Sequence, residues 1–214
     1  MKRRIVLLGP PASGKGTLAE LIQNRFGIAA TSTGAILRAE AKRGTPIGLE
    51  AAKIISTGGL APNEMVLQLA AAWLDKTDGS FLFDGFPRTV RAADRFDILL
   101  TERQLPLELA ILLDVSEPEI QARMLHRLTC SKCGKVISIG RHVQNSSEPC
   151  PNCGGKLEKR DDDNLSALMF RMKEYREKTL PVTDFYVRRG IFARVDANRS
   201  VEQIFTDVND LIAG

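Results

Sequence analysis

A glycine-rich segment near the beginning of the chain constrains the fold more than any other feature of the sequence. Residues 9–15 read Gly-Pro-Pro-Ala-Ser-Gly-Lys and fit the pattern G-x-x-x-x-G-K. An apolar run at residues 5–8 precedes the segment, and Leu18, Ile22 and Phe26 follow it at helical spacing. Between a strand and a helix, the N–H groups of such a loop and the positive end of the helix dipole face an anion. The segment therefore predicts a phosphate-binding loop in an α/β fold.

The composition is that of an ordinary globular protein. The 214 residues are 43% hydrophobic and 26% charged, and the formal net charge is +4. These values argue against a long disordered or fibrous chain, and the small positive charge does not indicate a dedicated nucleic-acid or membrane binder. The apolar run at residues 5–8 is shorter than the roughly 7–15 residues of a signal peptide, and no run approaches the roughly 20 residues of a membrane span. We expect a cytoplasmic protein with neither a membrane nor a nucleic acid as partner.

Short apolar runs alternate with amphipathic helical patterns along the chain. After residues 5–8, further strands are predicted at residues 81–83, 109–113 and 192–195, and the last helical pattern covers residues 201–212. Strands that alternate with helices form parallel sheets covered on both faces. The pattern therefore predicts an α/β fold with a parallel sheet.

Two stretches interrupt this alternation and suggest how the chain is divided. Residues 31–61 hold two short helical patterns, which we call the helical insertion, and Gly58-Gly59 near its end is a candidate hinge. Residues 127–160, which we call the lid segment, are polar and have too few apolar residues for a core of their own. The expected core domain then consists of residues 1–30, 62–126 and 161–214.

All four cysteines lie in the lid segment as two C-x2-C pairs. They are Cys130, Cys133, Cys150 and Cys153. Four thiolates at this spacing fit a closed tetrahedral site for a structural Zn²⁺ ion, whose binding could fold a polar segment. Two disulfides or four free thiols are the alternatives, although a reducing cytosol disfavours disulfides. Because the cysteines would fill the coordination shell, His142 is expected to lie at the surface or at a hinge.

Several motifs, taken together, resemble those of the adenylate kinases, a family of nucleoside monophosphate kinases. The phosphate loop ends in Gly-Lys-Gly-Thr at residues 14–17, residues 32–34 read Ser-Thr-Gly with an arginine at Arg38, and residues 84–89 read Asp-Gly-Phe-Pro-Arg-Thr. After the cysteines, residues 157–163 fit the pattern L-x-x-R-x-D-D. The motifs extend over nearly the whole chain, and the cysteine pairs are similar to those of the long form with a zinc-binding lid.

This resemblance implies a fold and a reaction. The fold is a three-layer α/β/α arrangement like that of the P-loop nucleoside triphosphate hydrolases, with a five-stranded parallel sheet. The reaction is the Mg²⁺-dependent, reversible transfer of a phosphoryl group from ATP to AMP, which gives two molecules of ADP. ATP, AMP and ADP are the implied partners, Mg²⁺ and a structural Zn²⁺ the implied ions, and a monomer the implied state.

The resemblance also implies the residues of the site. An arginine or lysine from each of several separate segments would converge on the polyphosphate, where guanidinium groups bind oxygens in pairs. Asp84 would hold Mg²⁺ through water. The implied catalytic residues are Lys15, Arg88, Arg127, Arg160 and Arg171. The implied nucleotide-binding residues are Gly9, Pro10, Ala12, Ser13, Gly14, Lys15, Gly16, Thr17, Thr33, Arg38, Gly59, Ala61, Asp84, Gly85, Arg88, Ala92, Arg123, Arg127, Arg160, Arg171 and Ala197.

The chain departs from the family pattern mainly around the monophosphate. Ala12 stands where the family usually has glycine, which is tolerable if its φ is negative. Ala35, Gly59 and Ala92 stand where the family usually has aspartate, lysine and glutamine. The glutamine reads the edge of the AMP base, and its loss would weaken discrimination between bases. The same transfer to a different or broader set of nucleoside monophosphates is therefore an alternative.

Two further alternatives come from other classes of protein. A zinc-ribbon nucleic-acid binder could be built on a P-loop scaffold, but the lid segment has almost no aromatic residues on which bases could stack. A P-loop switch protein could bind nucleotide without turnover, but the full set of phosphate-binding arginines argues against it.

Overall fold

The computed structural model describes residues 1–56, 61–159 and 164–214. Strands and helices alternate through most of the chain. The strands are β1 (Arg4–Leu8), β2 (Ala30–Ser32), β3 (Phe81–Asp84), β4 (Leu109–Asp114), β5 (Arg127–Cys130), β6 (Val136–Ser138), β7 (Leu157–Glu158) and β8 (Phe192–Asp196). The α-helices are α1 (Lys15–Phe26), α2 (Thr33–Arg43), α3 (Pro46–Ser56), α4 (Asn63–Leu74), α5 (Val90–Glu102), α6 (Glu117–Leu125), α7 (Leu165–Glu174), α8 (Val182–Val187) and α9 (Val201–Ala213). A π-helical turn, Tyr175–Thr179, follows α7.

Five parallel strands form the main sheet, in the order β2-β3-β1-β4-β8. Val6 of the central strand pairs with Phe83 on one side and with Ala110 on the other. The strands predicted from apolar runs lie in this sheet, and the predicted α/β fold class is confirmed. β2 was not predicted. It is a three-residue edge strand with half-buried side chains, so its sequence lacks an apolar run.

Helices cover both faces of the sheet and give three layers. Along β1, Ile5 and Leu7 pack into one hydrophobic cluster, which contains residues of α1, α6, α7 and α9. Val6 and Leu8 point to the opposite face and pack into a second cluster with α2, α4, α5 and α8. Alternation with a period of two is expected for a strand, and here the side chains on both faces of the strand are buried.

In the helical insertion, a sharp turn separates α2 from α3. α2 ends at Gly44, which adopts a left-handed conformation. Thr45 then donates from Oγ1 to Glu40 at 2.7 Å and accepts from the N–H of Gly48 at 3.0 Å. These bonds fold α3 back along α2. The candidate hinge Gly58-Gly59 lies outside the described residues.

The lid segment forms a second, antiparallel sheet in the order β6-β5-β7. Leu128, Ile137, Val143 and Leu157 are each at most 4% exposed and form a small cluster with the sulfurs of two cysteines. The expectation that this segment lacks a core of its own was therefore wrong. Three of these side chains come from β5, β6 and β7, and Val143 follows β6, so the pairing of the three strands brings them together. Among the described residues, no helix is both long enough and apolar enough to cross a membrane.

Candidate nucleotide-binding cleft

A cleft of about 610 Å³ opens at the carboxyl edge of the main sheet. This volume lies within the range of roughly 300–1,000 Å³ that is usual for ligand pockets. Its walls come from the loop between β1 and α1, the end of β3, the helical insertion, the lid segment and α7. Strand ends in a parallel sheet point their loops to the same edge, so residues distant in sequence meet here.

The loop between β1 and α1 curls around its own lysine. Lys15 donates from Nζ to the carbonyls of Gly9 and Pro10, at 2.9 and 2.8 Å, and to Oγ of Ser13 at 3.0 Å. Burial lowers the pKa of Lys15 to about 8, against the opposing effect of the Asp84 carboxylate. Since Arg88, Arg171 and Arg127 lower this pKa further, their positive charges lie around the same site.

Ala12 in this loop adopts a φ of +58°, so the condition of a negative φ, under which an alanine would be tolerable here, is not met. Left-handed backbone costs a residue with a Cβ roughly 1–2 kcal/mol. The loop keeps this conformation because its carbonyls and N–H groups must converge on one centre. Ala12 thus stores local strain in the phosphate loop.

Asp84 ends β3 and lies beside the N-terminus of α1. A Cβ placed on Gly16 would lie 3.8 Å from Oδ2 of Asp84. Burial raises the pKa of Asp84, and the positive charges of Lys15 and Arg88 oppose that rise. The carboxylate is therefore a hard oxygen donor placed where the terminal phosphates of a nucleotide would approach a phosphate loop.

The segment after Asp84 holds Arg88 against its own backbone. Nε of Arg88 donates to the carbonyl of Gly85 at 2.8 Å, and Oγ1 of Thr33 donates to the same carbonyl at 3.1 Å. Burial lowers the pKa of Arg88, opposed by Asp84. Because one carbonyl oxygen accepts both bonds, Arg88 and the start of α2 are fixed relative to each other.

Arg38 reaches the cleft from α2, over a glycine. A Cβ on Gly34 would lie only 2.9 Å from Nη1 of Arg38. A side chain at position 34 would therefore require the flexible end of Arg38 to shift away from this place.

Arg123 links the phosphate loop to the end of β8. Its guanidinium donates to the carbonyl of Ser13 at 3.1 Å, to that of Ala197 at 2.6 Å and to Glu119 at 2.8 Å. Ala197 itself is completely buried and its carbonyl is occupied by Arg123, so it lies behind the residues that line the cleft. Arg123 thus braces two loops in addition to lining the cleft.

Most residues expected at the site line this cleft. They are Gly9, Ala12, Ser13, Gly14, Lys15, Gly16, Thr17, Arg38, Asp84, Gly85, Arg88, Arg123, Arg127 and Arg171. Arg160 and Gly59 lie outside the described residues.

The remaining expected residues pack behind the lining. Ala92 lies on α5 and is fully buried in the hydrophobic cluster on that side of the sheet. Its N–H donates to Oγ1 of Thr89. Ala61 packs against the same core, and Thr33 is 6% exposed and bonded to Gly85. Pro10 contributes its carbonyl to Lys15. Their positions allow them to shape the cleft rather than to line it.

Several lining residues were not expected from the sequence. The lid segment contributes Ile137, Arg141 and His142, and the loop before α9 contributes Arg199. Nδ1 of His142 accepts a 3.0 Å hydrogen bond from the N–H of Ser138, which directs the ring. The signal in the sequence was the pair Arg141-His142 within a polar lid, but only the turn that follows β6 and the bond from Arg141 to Glu202 place it at the cleft.

The four cysteines of the lid segment come together in one cluster. Their sulfurs all lie within 4.8 Å of one another, with 3.5 Å between those of Cys130 and Cys153 and 3.8 Å between those of Cys133 and Cys150. A tetrahedral zinc site with Zn–S bonds of about 2.3 Å places its sulfurs about 3.8 Å apart. All four thiols are free, so the geometry fits a metal site and not disulfides.

The surroundings of the cluster match this interpretation. The N–H of Cys133 bonds the sulfur of Cys130 and lowers the pKa of that thiol to about 6, whereas the pKa of the Cys153 thiol is raised to about 11 beside the other thiols. The first of these shifts favours the thiolate that a metal requires. A Cβ on Gly155 would lie 2.8 Å from the sulfur of Cys130 and 2.7 Å from Cβ of Lys132. Only glycine fits at this position without displacing a sulfur.

Taken together, the sheet order, the loop around Lys15 and the arginine-lined cleft define a P-loop nucleotide-binding protein of the α/β class. Comparison with known families narrows this class, because the family described as adenylate kinase matches residues 7–191. The chain belongs to the adenylate kinase family, whose members are phosphotransferase enzymes. This membership does not favour the nucleic-acid binder, the non-catalytic switch or a different monophosphate as acceptor.

Individual relatives are similar in sequence to this chain over nearly its full length. A protein of Thermodesulfovibrio yellowstonii named adenylate kinase is 37% identical over 207 residues, which are 96% of both chains. Relatives with the same name from Syntrophobacter fumaroxidans and Methanothrix thermoacetophila are each 36% identical. These matches cover 97% and 98% of this chain and 99% and 98% of the relatives.

Proposed function

We propose that the protein transfers the γ-phosphoryl group of ATP to AMP and so forms two molecules of ADP. The observation that carries this proposal is the convergence of Lys15, Arg38, Arg88, Arg127 and Arg171, from separate segments, on one cleft at the phosphate loop. Phosphoryl transfer needs in-line positioning and positive charge around the moving group more than it needs covalent chemistry. A cleft with cations on several sides supplies both.

In the proposed reaction, ATP lies with its phosphates in the loop of residues 9–17. Lys15 turns from its loop carbonyls to the β- and γ-phosphates, and the N–H groups at the start of α1 bind the same oxygens. A phosphate oxygen of AMP forms a bond to the γ-phosphorus as the bond to the ADP oxygen breaks. Arg88, Arg127 and Arg171 neutralise the charge that spreads over the transferred group.

AMP occupies the side of the cleft formed by the helical insertion. Arg38 binds its phosphate, and the bond from Thr33 to Gly85 keeps α2 aligned with the Arg88 segment. This arrangement supports a division into a core, residues 1–30, 62–126 and 161–214, an AMP-binding insertion, residues 31–61, and the lid segment, residues 127–160. Closure of the two smaller parts would exclude water and favour transfer over hydrolysis. Arg160 is assigned to the same cluster of cations from its motif alone.

The residues fit two ions. Asp84 offers the single carboxylate through which proteins often bind a magnesium–nucleotide complex, with water completing the shell. Bound Mg²⁺ would neutralise charge on the β- and γ-phosphates. The four cysteines would hold Zn²⁺ as a structural ion, since no coordination position is left open for substrate.

A coupled assay of ADP formation tests this function. Purified protein is given Mg²⁺ and ATP with AMP, GMP, CMP or UMP as acceptor. We expect turnover with AMP, the highest kcat/KM for AMP among the four, and loss of turnover in Lys15→Met. Absence of ADP formation with every acceptor would refute the proposed activity, and a higher kcat/KM for another acceptor would refute AMP as the substrate.

A further inference from the structure

The helix that carries Arg171 does not continue as a regular α-helix. α7 passes at Tyr175 into the π-helical turn Tyr175–Thr179, in which the N–H of Leu180 donates to the carbonyl of Tyr175 at 2.8 Å. A π-turn accommodates one extra residue, so the side chains beyond it are rotated by about 100° from their α-helical directions. π-Turns are rare and occur frequently at functional sites.

The turn lies where the chain passes from one face of the sheet to the other. Leu168 and Met172 of α7 are buried in the cluster that contains Ile5 and Leu7. Val182, just beyond the turn, is buried in the cluster on the opposite face. The π-turn therefore crosses the edge of the sheet at the cleft, which Tyr175 and Thr179 both line.

Thr179 uses this position to bind the backbone of Arg88. Its Oγ1 donates to the carbonyl oxygen of Arg88 at 3.1 Å, between residues 91 positions apart in the sequence. The guanidinium of Arg88 is held at its other end by the carbonyl of Gly85. Arg88 is thus fixed at both ends, and Thr179 supplies the bond that comes from the helix of Arg171.

We propose that Thr179 is a positioning residue for phosphoryl transfer. The π-turn directs its hydroxyl to the Arg88 carbonyl, and this bond keeps Arg88 in register with Arg171 across the cleft. Both guanidinium groups must lie within a fraction of an ångström of the transferred phosphoryl group, since small misplacements reduce rates strongly. The inference rests on the proposed transfer reaction and adds to it a residue that acts through the backbone of Arg88.

A second threonine on the next turn provides a matched control. Oγ1 of Thr183 donates to the carbonyl of Leu180 at 2.7 Å, which is a local bond three residues apart. Thr183 is 7% exposed, so its substitution perturbs the same region without touching Arg88. Valine replaces either threonine with nearly the same shape but no hydroxyl.

The experiment compares wild-type protein with Thr179→Val, Thr179→Ser and Thr183→Val. For each, kcat and both KM values are measured in the ADP-forming assay, and Tm is measured by calorimetry. A small misplacement of Arg88 would cost the transition state about as much as one neutral hydrogen bond. We therefore expect kcat of Thr179→Val to decrease about fivefold, with the KM values within about twofold of wild type. Thr179→Ser keeps kcat within about twofold of wild type, and Thr183→Val leaves kcat unchanged even if it lowers Tm.

Three results would overturn the inference: an unchanged kcat in Thr179→Val, an equal decrease in Thr183→Val, or no recovery in Thr179→Ser. Wild-type protein that forms no ADP would instead refute the proposed function. The two failures are therefore distinguishable.

Discussion

Nζ of Lys135 lies 2.6 Å from Oε1 of Glu20, so an ion pair joins the lid segment to α1 of the core. A second pair, between Arg141 and Glu202 at 2.8 Å, joins the lid segment to α9. Glu20 raises the pKa of Lys135, which is the direction expected for an attractive pair. Both pairs are exposed to solvent, so each is weak and sensitive to salt. Together they favour a lid that lies over the phosphate loop.

Reversal of one charge should therefore shift the lid away from the core. We expect Lys135→Glu to raise the KM for ATP about twofold at low ionic strength, and to have little effect at high ionic strength, where the pair is screened. The double reversal Lys135→Glu with Glu20→Lys should restore the wild-type KM. Lys156→Glu is the control, since Lys156 pairs with Glu158 within the lid segment. A salt-independent effect would contradict this interpretation.

Because Ala12 adopts a left-handed conformation, we expect its replacement by glycine to stabilise the protein. Ala12→Gly should raise the free energy of unfolding by about 1 kcal/mol and Tm by about 2–4 °C, because glycine adopts positive φ without a Cβ clash. Gln104, with a φ of +56°, is a matched position outside the cleft, and Gln104→Gly should give a similar gain. Thermal unfolding measures both changes. A decrease in Tm for Ala12→Gly would show that the methyl group has a packing role.

The lowered pKa of Lys15 predicts how ATP binding depends on pH. The protonated amine binds phosphate, so affinity in the absence of AMP should be full below pH 8 and should fall as the pH rises through about 8. Lys15→Met should bind weakly at every pH and lack this alkaline loss. Calorimetric titration with ATP across the pH range provides the measurement. An affinity that stays constant well above pH 8 would contradict the lowered pKa.

The cysteine cluster predicts that the lid segment depends on a metal. Protein purified under reducing conditions should contain one zinc per chain, measured by mass spectrometry, and Cys150→Ser should lose it. We expect chelation or Cys150→Ser to lower the first unfolding transition by about 5 °C or more, because metal binding contributes to folding of the segment. Cys150 is buried, so a serine there leaves a polar group near the sulfurs.

A substitution at Gly155 distinguishes the effect of losing the metal from the effect of losing a cysteine. Gly155→Ala keeps all four thiols but places a Cβ against the sulfur of Cys130. It should weaken zinc binding, whereas alanine at Gly134, where a Cβ meets nothing within 4 Å but φ is +72°, should affect stability more than zinc affinity. Zinc-free wild-type protein with unchanged stability would contradict the metal assignment.

The sequence predicted the features that depend on local pattern. Apolar runs such as residues 5–8 identify buried strands because a strand covered on both faces needs hydrophobic residues at every position. The phosphate loop and the cysteine pairs were recognised because their chemistry requires particular residues at short fixed spacing. β2 and the small core of the lid segment were not recognised, because their residues acquire their roles only through distant partners.

The sequence by itself was thus enough to predict the fold class, from the alternating strands. It also predicted a phosphate ligand from residues 9–15 and a metal ion from the cysteine spacing. The tertiary structure decided what side chains do across long separations: Arg123 braces two loops, Arg141 reaches the cleft, and Thr179 holds the backbone of Arg88. The bond between Arg123 and Ser13, for example, joins residues 110 positions apart, and such contacts leave no periodic trace in the chain. Their geometry exists only after the sheet has brought its strand ends to one edge.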